Sequence, residues 1–236
     1  MNAEQFFEHL EKDGWSVPGE LPDRSRLKSI EQTITASLAP VKPLPGDRVL
    51  VSLTVILFWA LSLIFAAVLG FNGWLLLPWS VRVPYFALLG VCSVLFAREI
   101  VHLVVPGSRR RMSTAVAILL LLLSLAGLTP VLFPDFSLTR FVARGIFCFV
   151  LGSTCALVTG ALLALLARRS FVVDTLQTAA AMGAFAGLLG FAVLAFHCPF
   201  LSAPHILVWH VGAVAVGSLG GLMFGWLFER TKNSVR

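Results

Sequence analysis

The sequence predicts an all-α integral membrane protein, a bundle of six transmembrane helices with both termini cytoplasmic and a short helical N-terminal arm. Three observations predict it. Of 236 residues, 58% are hydrophobic and only 13% charged, with a mean hydropathy of +0.89, where a soluble domain carries about a quarter charged residues. Six runs are uncharged or nearly so, each long enough for a hydrocarbon core about 30 Å thick, which takes about 20 helical residues to cross. Lysine and arginine, finally, are distributed unequally between alternate loops.

Residues 1–48 form the arm. They hold eight acids and six bases and lack the early apolar stretch of a cleavable signal peptide. The arm is too short for a core of its own. One weak helix is expected over Ala3–Lys12, with Phe6, Phe7 and Leu10 on one side. A second follows Pro22 and Asp23, where Leu27, Ile30, Ile34 and Leu38 recur at helical spacing. The prolines of "APVKPLPG" then impose an extended approach to the membrane. An apolar stripe with no domain to bury it calls for a partner protein or the bilayer surface.

The membrane domain occupies residues 49–228. Its spans are expected near Val49–Gly70, Pro84–Val105, Ser113–Leu132, Gly145–Ala167, Thr175–Phe196 and His205–Phe228. They must be helices, because backbone polar groups in lipid need partners within their own segment. Pro78, Pro106, Pro134 and Pro199 fall in the gaps, where a missing N–H costs little. Residues 229–236 form a cytoplasmic tail. Fourteen lysines and arginines lie on the side of the two termini and three on the other, so the positive-inside rule puts both ends in the cytoplasm. Arg98 alone lies within a span, beside Glu99, and reads as a snorkelling side chain.

Small residues recur every four positions in the last three spans, at Gly152, Ala156 and Gly160, at Gly183 and Gly187, and at Gly217, Gly221 and Gly225. Such stripes let helix backbones approach closely. Their first use is one tight sub-bundle of spans four to six; the second is a homodimer seam.

Chemistry concentrates in "FHCPFLSAPHILVWH", Phe196–His210, which this topology places at the outer surface. In a bacterial inner membrane that side is oxidising. Cys148 lies about one turn below the same surface. Cys155 is about 10 Å deeper on the same helix and too far from Cys148 for a disulfide. Cys92 lies near mid-bilayer as apolar filler. Cys148 and Cys198 are thus the pair sharing one accessible level.

Three readings of the pair compete. It is a disulfide or reactive thiol pair, a metal site supplemented by His197, His205 and His210, or buried filler beside interfacial imidazoles. Spacing argues against a preformed metal site, since residues five apart lie about 140° apart round an α-helix. Enzymatic classes find no support, because no catalytic triad order, metalloprotease motif or phosphate loop appears. A thiol oxidoreductase would want a second reactive pair, often Cys-x-x-Cys, which is missing. The high pI of about 9.7 follows from membrane topology and implies no direct nucleic-acid partner.

Taken in order, "SLAPVKPLPGDR", "VVPGSRRR", Cys148 opening span four and "HCP…VWH" entering span six resemble the NrsF family. The resemblance covers roughly residues 33–228. It implies a bacterial inner-membrane anti-sigma factor whose cytoplasmic segment holds an extracytoplasmic-function sigma factor. It also implies two periplasm-facing cysteines needed for signal response, matching Cys148 and Cys198. No cofactor is expected beyond a transient soft metal ion. The chain departs from the family pattern in carrying about 28 residues before the proline motif, and in placing His210 where an aromatic residue follows the tryptophan. An extra imidazole there shifts the chemistry from thiol oxidation toward metal binding.

Overall fold

The computed structural model describes residues 24–37, 45–105, 112–138, 141–167 and 174–234. The described residues are helical, with no strand. They fall in two compact units, one ending at Leu44 and one beginning at Pro45. The first contains α1, Arg24–Ser37. Leu27, Ile30 and Ile34 line its length and are half exposed. Leu38 and the expected Ala3–Lys12 helix lie outside the described residues, as do Arg109–Arg111, Arg168 and Arg169.

The second unit holds α2 (Asp47–Leu69), α3 (Asn72–Leu76), α4 (Trp79–Val104), α5 (Thr114–Leu132), α6 (Phe141–Ala167), α7 (Thr175–His197), α8 (Ala203–His205) and α9 (Val211–Ser234). A π-helical turn, Ile206–His210, joins α8 to α9. Six helical segments are long and apolar enough to cross a membrane, the last running Ala203–Thr231. The spans agree with expectation except that α4 and α6 start four or five residues earlier. Pro84 therefore sits inside α4. The short α3, between the first two spans, was not expected.

The core is organised round α7, which is buried along nearly its whole length. Mutual glycine contact is what makes that possible. A Cβ on Gly183 would meet the Gly217 carbonyl oxygen, one on Gly221 would meet that of Ala179, and one on Gly217 would lie 2.8 Å from the Gly183 oxygen. On the other flank Gly190 abuts the Gly152 carbonyl. The expected sub-bundle of spans four to six is thus backbone-on-backbone packing within one chain. These stripes are filled internally, which removes them as a homodimer seam. Elsewhere Arg98 is exposed, whereas its neighbour Glu99 is buried and accepts a hydrogen bond from Thr114 Oγ1 at 3.1 Å.

Candidate functional site: a buried thiol–imidazole cluster

At the end of the bundle where α7 gives way to α8, four side chains converge. Cys148 comes from the second turn of α6, Cys198 caps α7, His205 immediately precedes the π-turn and His210 ends it. The sulfurs of Cys148 and Cys198 are 3.4 Å apart, and Cys198 Sγ is also 3.4 Å from His205 Nε2. One ligand atom from each of the four residues lies within 4.8 Å of all the others. The rings of His205 and His210 meet edge to face with centroids 5.2 Å apart. All four residues are buried.

The expectation that His205 and His210 diverge is corrected here. It assumed an α-helix, but the Val211 N–H bonds to the Ile206 carbonyl, five residues back. An i→i+5 turn stacks residues five apart, and such π-bulges recur at functional sites. Periodicity could not have shown the turn, since its signal is the hydrogen bond and not the residue pattern.

Two glycines that sequence reasoning missed hold the cluster together. Gly145, one turn before Cys148, leaves room for the Trp209 indole, which any Cβ there would overlap. Trp209 is seated between Phe141 and Phe149 of α6, with ring centroids 5.4 and 6.3 Å away. The π-turn is thereby pressed onto α6, and His210 is brought to Cys148. On the opposite side, Gly73 of α3 backs onto Cys198; a Cβ there would lie 2.5 Å from the Cys198 carbonyl oxygen and 2.9 Å from that of Ala195. The backbone of Asp135 completes the frame, accepting a hydrogen bond from the Ala203 N–H at 2.7 Å.

His197 is not part of the cluster. Its Nδ1–H donates to the Gly70 carbonyl at 3.2 Å, tying α7 to the end of α2, where Gly70 turns the chain with φ 95°. That is a structural role. Phe200 packs on His205 at 5.6 Å and carries the Arg144 guanidinium over its ring at 4.1 Å. The surroundings are otherwise apolar, with Leu151 and Leu194 against the sulfurs. The Cys198 thiol is held above the ordinary thiol range, first by its contact with Cys148 and then by burial.

Chemically, such an arrangement either joins its two sulfurs or coordinates a soft ion. The fold and site together define a six-span membrane protein with a buried, redox-capable thiol pair. The profile of the NrsF family, negative regulator of sigma F, matches residues 34–230, and the chain belongs to that family. No curated protein and no solved structure matches it.

Proposed function

We propose that the protein is an anti-sigma factor of a bacterial inner membrane, with both termini cytoplasmic. Its arm, through the exposed stripe Leu27, Ile30 and Ile34 and the adjacent Leu38, holds an extracytoplasmic-function sigma factor, and Cys148 and Cys198 form the trigger. The observation that carries the reading is the 3.4 Å sulfur separation in a chain of this family. Two thiols at that distance need only a short approach to bond. A peroxide serves as oxidant: one thiol takes an oxygen atom to become a sulfenic acid and releases the reduced alcohol or water. The second thiol then displaces that oxygen as water, closing the disulfide. A soft metal ion captured by the same sulfurs would act on the same two segments.

Disulfide formation draws α6 and the end of α7 together. Because α7 is locked to α9 through backbone contacts down to Gly225 against Leu176, the pull is carried to the far end of the bundle. There the Leu176 N–H meets Glu229 Oε1 at 3.3 Å. Packed elements of this kind shift between discrete arrangements and do not deform gradually. Release of the arm's partner follows from that shift, with no catalytic turnover.

The test is a pull-down from the native host, with the full chain compared to one lacking residues 1–48. A sigma factor should be recovered only with the arm, and Cys198→Ser should keep the sigma factor while abolishing induction of its target genes. Equal recovery without the arm, or unchanged induction in Cys198→Ser, overturns the reading.

A further inference from the structure

We propose that Cys148, Cys198, His205 and His210 constitute a preformed, closed four-coordinate site for a divalent d10 ion, Zn2+ or its congener Cd2+, completed by the π-turn Ile206–His210. The inference rests on the cysteine pair being the sensing site, and it names what that site holds and what decides between its two chemistries.

Geometry comes first. In a tetrahedral S2N2 site with metal–sulfur bonds of about 2.3 Å and metal–nitrogen bonds of about 2.0–2.1 Å, the ligand atoms stand roughly 3.3–3.8 Å apart. The Cys148–Cys198 and Cys198–His205 separations are both 3.4 Å and all four ligand atoms lie within 4.8 Å of one another, so seating the ion needs the sulfur edge to open by about 0.4 Å and the widest edge to close by up to about 1 Å. Two cysteines and two histidines in a tetrahedral arrangement are the donor set that zinc favours.

The second observation concerns His210. It is 2% exposed, and neither ring nitrogen makes a well-formed hydrogen bond, the Cys148 thiol being the group beside it. A buried imidazole without a well-formed hydrogen bond costs free energy, and α9 reaches the cluster only by departing from α-helical geometry. The sequence accepts both a poorly satisfied polar ring and an irregular turn where an apolar residue in a regular helix would have avoided both. Coordination of a metal accounts for the two together.

Charge selects the ion's valence. Two thiolates and two neutral imidazoles balance a dication, giving a complex with no net charge among Leu151, Leu194 and Phe191. A monovalent ion would leave one negative charge in this apolar setting, which is costly. Binding of M2+ displaces one proton from each thiol, so two protons are released to solvent per ion and no electrons move. The bound sulfurs are then not free to join. Metal occupancy and disulfide formation exclude one another, and the ion decides whether an oxidant is read.

The experiment uses the full chain, reduced and metal-free, in lipid nanodiscs, titrated with Co2+ as a spectroscopic stand-in and then with Zn2+. Expected are one Co2+ per chain, with intense tetrahedral visible bands and a sulfur-to-cobalt charge-transfer band, and stoichiometric displacement by Zn2+. His210→Phe should weaken Zn2+ binding by more than the roughly 100-fold that losing a supporting contact costs. His197→Ala should bind as the wild type does, and Zn2+ loading should slow peroxide-driven disulfide formation. A weak octahedral spectrum, uptake of Cu+ but not of Co2+ or Zn2+, or equal affinity in His210→Phe overturns the proposal. Should His210→Phe not fold, the wild-type spectrum decides alone. Sigma-factor capture is scored on the same samples: metal binding absent with capture intact refutes the site, and capture absent with metal bound refutes the arm.

Discussion

Gly73 lies 75 residues from Cys148 in sequence, yet Gly73→Ala should disable the thiol pair. The added methyl would stand 2.5 Å from the Cys198 carbonyl oxygen, 2.9 Å from that of Ala195 and 3.1 Å from the Cys198 nitrogen. Ordinary contact requires about 3.5 Å, so something must move by about 1 Å. All three atoms are backbone, and no rotamer change relieves the clash. The short helix α3 is held in place, since Arg82 donates to the Trp74 and Leu77 carbonyls, both at 2.7 Å, and stacks over the Trp74 ring at 4.4 Å. Trp74 is also wedged against Phe86 and Phe196 at 4.9 and 5.6 Å. The segment from Cys198 to Ser202 is irregular and yields first. Overpacking of this kind costs roughly 1–3 kcal/mol, and a 1 Å misplacement of reacting groups slows a reaction by up to about 100-fold. The assay is the rate of Cys148–Cys198 disulfide formation under peroxide in membranes. It is read by a mass-tagged maleimide after denaturation, with Cys92 and Cys155 as internal counts. Gly90→Ala, where a Cβ meets nothing within 4 Å, is the control. Oxidation of Gly73→Ala at the wild-type rate would show that α3 moves instead, and would refute the claim that it positions Cys198.

Two further outcomes follow. Ile30→Glu places a charge in the exposed stripe of α1, where burying an isoleucine against a partner is worth roughly 1.5–3 kcal/mol. Affinity for the sigma factor should therefore fall roughly 10- to 150-fold with the thermal stability of the membrane unit unchanged, as a co-purification titration and a melting curve will show. His197→Ala removes the hydrogen bond to the Gly70 carbonyl, so it should destabilise the bundle by roughly 0.5–1.5 kcal/mol while peroxide still closes the disulfide at the wild-type rate.

The parts legible in the sequence are those governed by long-range composition. Spans emerge because hydrocarbon tolerates only long apolar helices, and the glycine stripes of α7 and α9 emerge because close backbone approach needs a four-residue repeat. Depth along the spans was enough to bring Cys148 and Cys198 to one level. What stayed hidden depends on partners distant in sequence or on backbone hydrogen bonding. The π-turn reads as ordinary helix in "ILVWH". Gly73 and Gly145 look like isolated glycines, although each is a slot for another segment, Cys198 in one case and Trp209 in the other. Glu99 resembles its exposed neighbour Arg98 until Thr114 is found across the bundle.

These hidden contacts bear on how a small event at one end could matter at the other. A Cys148–Cys198 bond would bring sulfurs now 3.4 Å apart to about 2.05 Å as a covalent constraint, whereas a tenfold change in a two-state population requires only about 1.4 kcal/mol. Energy is therefore not the limiting quantity; transmission is. In most helix bundles a sub-ångström pull at one residue is absorbed by side chains changing rotamer. Along α7 that cushion is thin, because Gly183, Gly187 and Gly190 contact the main chain of α9 and α6 directly. The helix can shift only if its neighbours shift with it. A bulky substitution that forces the α7–α9 seam apart, such as Gly217→Val, should then uncouple the ends, leaving disulfide formation intact while induction is lost. If Gly217→Val forms the disulfide and still induces fully, transmission does not run through this seam.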